Sequence, residues 1–324
     1  MKPYLILLIA PALFMACTPG DRETKVLEQD AIEVKGEFSI SGAYAIYPLL
    51  NVWAEEFMQL HPDVNIMLFR DGTGKGIEDL QTRSSDIAMI SREISPEEVA
   101  FGYAIFAVAK DAVVPIINDA NPMLDEILDK GLSHRQLQIL FSMDEKPTWG
   151  ALYMKEIIDR VNVYHRSDAS GAATIWANFL LLGYDDLNGI GLEGDHNMVQ
   201  QVLDDPNGIG YCNMIYIWDS TGTEIRQGLQ VPPIDLNYNG RIDHREKVPR
   251  DLMAMRRHIQ AGKYPHSLCR YLYLLTNPDS TNEALKAFLI YIMTEGQSVV
   301  ETAGYCKVPP FILDCQVNKL LKGK

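Results

Sequence analysis

The chain has 324 residues, 47% of them hydrophobic, and a formal net charge of −14. Its length exceeds one typical domain and suggests two. The acidic balance, with no basic stripe, argues against nucleic-acid binding but not against one small anion held by local groups.

Lys2 and the apolar run Leu5 to Ala16 read as a targeting segment over residues 1–16, too short to span a membrane. Phe14-Met15-Ala16-Cys17 looks like a lipoprotein signal, with Cys17 as the lipidated residue and residues 17–37 as a polar tether. Phe38 to Ser41 alternates like a strand. Pro48 suits a first helical turn, and Leu49, Val52, Trp53, Phe57 and Leu60 continue at helical spacing. Val64 to Phe69 reads as a strand, Asp71 to Gly76 as the turn into a helix carrying Ile77 and Leu80, and Asp86 to Ile90 as a third strand. This β-α-β-α-β order predicts a parallel sheet. Phe106 to Ile117 is a β-rich run long enough to pass between two lobes, and short helices follow around Leu124 to Leu128 and Leu137 to Phe141. Val161 to Tyr164 reads as a strand, Arg166 to Gly171 as a loop, and Ala172 to Leu182 as a helix. A loop-rich Asp, Asn and Gly region comes next. Gly208 to Ile217 and Arg270 to Leu275 read as strands, and Glu283 to Met293 and Gln297 to Ala303 as closing helices.

Cys212, Cys269, Cys306 and Cys315 form no C-x-x-C pair, so zinc is not expected. Cys306 and Cys315 are close enough in sequence to bridge, or to stay as free thiols.

One local event occurs three times: strand, small polar or glycine-rich loop, helix. The loops are Ser41 to Tyr47, Gly72 to Gly76 and Arg166 to Gly171. A helix N-terminus offers unpaired N–H groups and the positive end of the macrodipole, and a guanidinium adds two parallel donors. Lys75 looks like a phosphate-loop lysine, but Gly76 stands where Ser or Thr is required, so a nucleotide is disfavoured.

Ser41-Gly42-Ala43 with Tyr47-Pro48, Gly72 to Gly76, Asp86 to Arg92, Ala109 to Ile116, Arg166 to Gly171, Ile209-Gly210-Tyr211 and Glu295 to Tyr305 together resemble the phosphate-binding proteins of ABC transporters. The resemblance implies an α/β, two-lobed periplasmic binding protein-like II fold with lobes joined by crossing strands. Lobe I would take residues 38–112 and 268–324, lobe II residues 113–267. It also implies an extracytoplasmic lipoprotein, monomeric, that closes on phosphate and delivers it to a permease. By position, Arg166 would clamp the anion, Asp168 orient Arg166, Ser170 donate a hydroxyl and Gly171 an amide. Ser41, Ala45, Ile46, Tyr47, Thr73 and Gly74 would contact it from the first lobe. The family's Thr is Ile46 here, a further Thr is Ala172, and the family's proton-accepting aspartate is Arg92. Arg92 would suit any dianion, so sulfate or another oxyanion stands as an alternative, as does a sensory or adhesive surface role. Ser170 beside His165 offers the outline of a nucleophile, but G-x-S-x-G is absent, so neither an enzyme nor a catalytic cofactor is expected.

Asp235 to Glu246 matches D-x-[DN]-x-[DN]-G-x₅-E. Asp235, Asn237, Asn239 and Glu246 would supply side-chain oxygens, Arg241 a carbonyl, and Asp243 a direct or water-mediated contact to a structural Ca2+. Pro232-Pro233 argue against an incoming helix, hence an EF-hand-like loop rather than an EF-hand. A hydrated Asn/Asp/Gly turn is the simpler reading.

Overall fold

The computed structural model describes residues 34–168 and 170–322. The targeting segment, Cys17 and most of the tether lie outside the described residues. The first half of the chain runs β1 (Gly36–Gly42), α1 (Tyr47–Leu60), β2 (Val64–Phe69), α2 (Thr73–Gln81), β3 (Ile87–Ile90), α3 (Pro96–Ala100) and the long β4 (Ala104–Asn118). Then come α4 (Leu124–Lys130), β5 (Leu132–Ser133), α5 (His134–Ser142), β6 (Asn162–Arg166), α6 (Gly171–Phe179), β7 (Ile190–Leu192), α7 (Gly194–Leu203) and β8 (Gly208–Asn213). The chain continues through β9 (Leu229–Gln230), β10 (Ile234–Asp235), α8 (Leu252–Gln260), β11 (Cys269–Thr276), α9 (Glu283–Met293) and α10 (Pro310–Lys322).

One sheet runs β2-β1-β3-β11-β4-β8-β6-β7, with β9 beside β4, and β10 pairs β5 separately. β1 is parallel to both β2 and β3, as the β-α-β-α-β reading expects. β4 and β11 run antiparallel to their neighbours at the centre. β4 pairs β11 along Ala104 to Ala112, then β8 along Val113 to Ile117. Its side chains follow suit. Phe106, Val108 and Ala109 join one hydrophobic core, and Val113, Val114 and Ile116 join another. β4 therefore crosses from one half of the molecule to the other.

Each core explains how one half holds its loops. The stripe Leu49, Leu50, Trp53, Ala54 and Phe57 buries one face of α1. Phe57 meets Phe288 of α9 edge-on with centroids 5.2 Å apart. Burying side chains of this size contributes about 1.5–3 kcal/mol each. In the second core Trp176 of α6 stacks on Tyr211 of β8 at 5.2 Å, which fixes the helix that follows the Arg166 loop.

Three sequence expectations fail. The supposed loop region after α6 contains β7 and α7. Gln297 to Ala303 is not a regular helix: a 3-10 turn covers Glu295–Ser298 and turns follow, and the chain closes on α10 instead. The strand reading of Gly208 to Ile217 stops at Asn213, where a 3-10 turn begins. Cys212, Cys269, Cys306 and Cys315 are all free; Cys306 is buried and Cys315 exposed. Among the described residues no helix is long and apolar enough to cross a membrane.

Candidate functional site

The three loops meet in one small recess. Ala43, Tyr44, Ala45, Gly72, Thr73 and Ser91 line it from the first half, and Arg166, Ser170, Gly171 and Asn213 from the second. β6 delivers Arg166, and Ser170 caps α6 by accepting from Ala172 N at 3.1 Å and Ala173 N at 3.4 Å. Opposite, α2 starts after Gly72, whose φ of 89° suits only glycine without strain, and Gly72 provides no side-chain cap. Ile46 at the head of α1 caps nothing either. Thr73 Oγ1 accepts from Ser91 N at 3.3 Å and lies 3.2 Å from Ser91 Oγ. The halves touch closely: a Cβ on Gly171 would lie 2.5 Å from the Ser91 carbonyl oxygen.

Arg166 is 1% exposed and bracketed by two carboxylates. Its Nε and Nη2 each donate to Asp168 at 2.6 Å, and Nη1 donates to Asp195 Oδ2 at 2.9 Å. Burial works against the charge, but Asp195 and Asp168 outweigh it and hold the guanidinium protonated. Three of its five N–H groups are thereby committed, which leaves two without a partner among the described residues. The Tyr44 ring lies over the cation, with Cζ 5.1 Å from the ring centroid. Desolvation, then Asp168, raises the Tyr44 phenol, so it keeps its proton at neutral pH.

Behind Arg166 a polar chain leads to the crossing strands. Asp195 Oδ1 accepts from Asn213 N at 2.8 Å, and Oδ2 from Asn213 Nδ2 at 2.6 Å. Asn213 Oδ1 accepts from Arg270 Nη2, which also pairs with Asp111 Oδ2 at 3.2 Å. Asp111 lies on β4 and Arg270 on β11, both buried. Asp111 Oδ1 and Arg270 Nε and Nη1 have no hydrogen-bond partner among the described residues. Desolvation pushes the Asp111 carboxyl up to about 6, against the pull of Arg270. A carboxyl raised in the folded state holds its proton more tightly there than when unfolded. Its contribution is thus fully present below about pH 4 and declines as pH rises through about 6. The stability of the wild type relative to Asp111→Asn should therefore fall between pH 4 and 7, whatever constant offset the substitution adds. Urea melts of both proteins across that range check this, and a flat difference refutes it.

Six expected site residues, Ser41, Ile46, Tyr47, Gly74, Arg92 and Asp168, do not line the recess. Arg92 turns away because Glu98 captures it through two bonds of 2.9 and 2.6 Å, and the same Glu98 closes a capping box with Ser95 at the head of α3. Ser41 Oγ donates to Asp79 at 2.7 Å. Ile46 is fully buried in the first core, Tyr47 opens α1 beneath Arg70, and Gly74 lies within α2. Asp168 reaches the recess only through Arg166. Ala43, Tyr44, Gly72, Ser91 and Asn213 line the recess without having been assigned to it from the sequence, and Asp195 supports Arg166 from behind. Lys75 pairs with Glu78 and Asp79 on its own helix, as an ordinary solvated turn would have it.

In the 235–246 loop, Asp235 accepts from the Asn239 and Gly240 amides at 3.2 and 3.0 Å. Glu246 accepts from Leu236 N at 2.8 Å and Asp243 N at 2.9 Å, which closes the loop on itself. Asn237 and Asn239 both aim their carboxamides at Asp243 Oδ2, at 2.8 and 3.0 Å. The Arg241 guanidinium is exposed and turns toward Asp243. Ile242 N donates to Asp129 O. β10 rather than a helix enters the loop. Among the described residues no three His, Cys, Asp or Glu side chains form a metal cluster.

A central sheet with helices on its faces, two large cores with a smaller cluster around Leu80 and Ile90, and a recess between strand-to-helix loops match the type II periplasmic binding-protein fold. The comparisons agree. A family model described as a PBP superfamily domain matches residues 28–295, and the chain belongs to that superfamily of solute-binding, non-catalytic proteins. The phosphate-binding protein PstS of Bacillus subtilis (strain 168) is 25% identical over 335 residues, covering 100% of this chain and 98% of that protein. PstS of Pseudomonas aeruginosa PAO1 is 26% identical, covering 90% of this chain and 89% of that one. Among solved structures, a putative phosphate ABC transporter substrate-binding protein with bound phosphate from Clostridium perfringens superposes with a TM-score of 0.69 at 22% identity, covering 85% of this chain and 100% of that one. A possible phosphate-binding protein from Planctomyces limnophilus gives 0.59 at 21%, covering 90% and 99%.

Proposed function

We propose that this chain captures phosphate by closure of its two halves and delivers it to an ABC permease. The observation that carries the reading is the convergence of Arg166, the Ser170-capped α6 terminus and the uncapped α2 terminus on one buried recess. Two spare guanidinium N–H groups, helix-terminal amides and the hydroxyls of Thr73, Ser91 and Ser170 match a small tetrahedral oxyanion stripped of water. The halves would be residues 38–112 with 268–324 and residues 113–267, rocking about β4 and β11. The names of the relatives point to phosphate itself. The protein would work as a monomer held to the membrane at Cys17.

Sulfate is the second reading, and one observation favours it. Arg92 is engaged by Glu98, and no carboxylate lines the recess among the described residues. Hydroxyls donate or accept, so they cannot by themselves reject an anion that lacks a proton. Calorimetric titration with phosphate, sulfate, molybdate and citrate tests both readings. Phosphate is expected to bind and citrate not. Sulfate binding without a phosphate response would replace the solute; silence with all four would end the oxyanion reading.

The loop at 235–246 would hold a structural Ca2+. The Asn237 and Asn239 carboxamides presently turn nitrogen toward Asp243, and rotating each by 180° presents oxygens to the same point. Calcium at about 100 times its dissociation constant would add about 2.7 kcal/mol, or roughly 4 °C in melting temperature. Chelation should remove that gain, and Glu246→Gln should abolish the response. Identical melting with and without calcium would leave the segment an Asx-rich turn.

A further inference from the structure

Of the ten residues that line the recess, nine are buried and Tyr44 alone is half-buried. It is thus the one lining residue that also reaches solvent. It belongs to the first half of the chain, yet its contacts lie across the gap. The Arg166 guanidinium carbon lies over its ring, 5.1 Å from the centroid. Its carbonyl accepts from Tyr216 Oη at 3.0 Å. Beside the ring sits Gly194, at the start of α7, with a φ of +74°. A Cβ there would lie 3.1 Å from Tyr44 Cε1, so the glycine leaves the ring a flat seat that any side chain would crowd. Ala43 and Ala45, on either side of Tyr44, are too small to close the opening themselves.

Resting on the oxyanion reading, we propose that Tyr44 is the gate of this recess: it admits an unsubstituted oxyanion, excludes its organic esters, and holds the occupant until the ring leaves its seat. An anion lying against the helix termini and Arg166 turns its last oxygen toward Tyr44. A bare oxygen can sit against the ring edge. A carbon substituent on that oxygen must pass where the ring stands. The ring packs on Arg166 and Gly194 only while the halves are together, so it also slows release.

The test uses inorganic phosphate and methyl phosphate as probes, with calorimetry for affinity and stopped-flow dilution for release, on the wild type, Tyr44→Ala, Tyr44→Phe and Gly194→Ala. The wild type should bind phosphate and reject methyl phosphate. Tyr44→Ala should release phosphate about tenfold faster or more and should bind methyl phosphate, since affinity changes at such sites fall mainly on the off-rate. Tyr44→Phe should restore ester rejection, because the ring and not the hydroxyl fills the opening. Gly194→Ala, which crowds the seat without touching the ring chemistry, should speed release as well. Thermal melts establish that each variant is folded, and Gly194→Ala carries the test if Tyr44→Ala is not. Wild-type release rates together with continued ester rejection in Tyr44→Ala would overturn the gate while leaving the oxyanion site intact. A wild type that binds no oxyanion would overturn both.

Discussion

Arg166→Ala should abolish phosphate binding at any concentration that calorimetry can reach. The substitution removes the one arginine in the recess lining and the two N–H donors left over from Asp168 and Asp195. Charge-assisted bonds are worth about 1.5–3 kcal/mol each, so losing two is a drop of about two to four orders of magnitude before any effect on closure. Stability should fall too. Asp195 is 0% exposed, and its only cationic partner among the described contacts is Arg166. Breaking a buried pair from one side costs about 3–5 kcal/mol, because the remaining charge is stranded. The two effects separate in the double variant Arg166→Ala/Asp195→Asn. That protein should regain much of the lost stability in urea melts and still bind nothing. Undiminished phosphate affinity in the single variant would remove Arg166 from the site.

Gly171→Ala should be nearly as damaging for binding, by a different route. The added Cβ would sit 2.3 Å from Ser91 Oγ and 2.5 Å from the Ser91 carbonyl oxygen. A hydroxyl can rotate away; a backbone carbonyl at the end of β3 cannot. Closure would have to stop short, leaving amides and Arg166 too far apart to enclose the same anion. Helix propensity does not explain such a loss, since alanine is favoured over glycine in a helix by about 1 kcal/mol. We therefore expect affinity to fall by about a hundredfold, roughly 2.7 kcal/mol, with little change in melting temperature. Calorimetry alongside small-angle scattering would check this, and the variant should remain the more extended species in saturating phosphate. Wild-type affinity with a compact profile would mean that the Gly171–Ser91 contact is not part of the bound state.

The first half was legible because its signals are local. Apolar residues in α1 recur at helical spacing, Pro48 and Gly72 punctuate the starts of helices, and the short strands are apolar runs. The crossing role of β4 also shows, since so long an apolar β-rich run has few other uses. The second half hides more. α7 opens with Gly194-Asp195 and carries only Met198, Val199 and Val202 on its buried apolar face, within a stretch rich in Asn, Asp and Gly. With the helix overlooked, Asp195 was invisible as the second partner of Arg166. Arg270 and Asp111 stand 159 positions apart, and no local pattern pairs them. Arg92 is a different case. Ser95-Pro96-Glu97-Glu98 spells a capping box three residues beyond it, and that signature places a fixed carboxylate within its reach. Tyr44 gave no sign, because a tyrosine in a small-residue loop reads as ordinary until its position over Arg166 is known.

The bracketing of Arg166 shapes how a solute first arrives. One guanidinium between two carboxylates is a locally negative assembly, and the chain as a whole stands at −14. On the oxyanion reading, a net charge of this sign would not steer the solute from a distance. Attraction would then begin only within about a Debye length, about 8 Å in physiological salt, where the directions of individual N–H groups can outweigh the sum of charges. Encounter is left to diffusion, and recognition to bond geometry at contact.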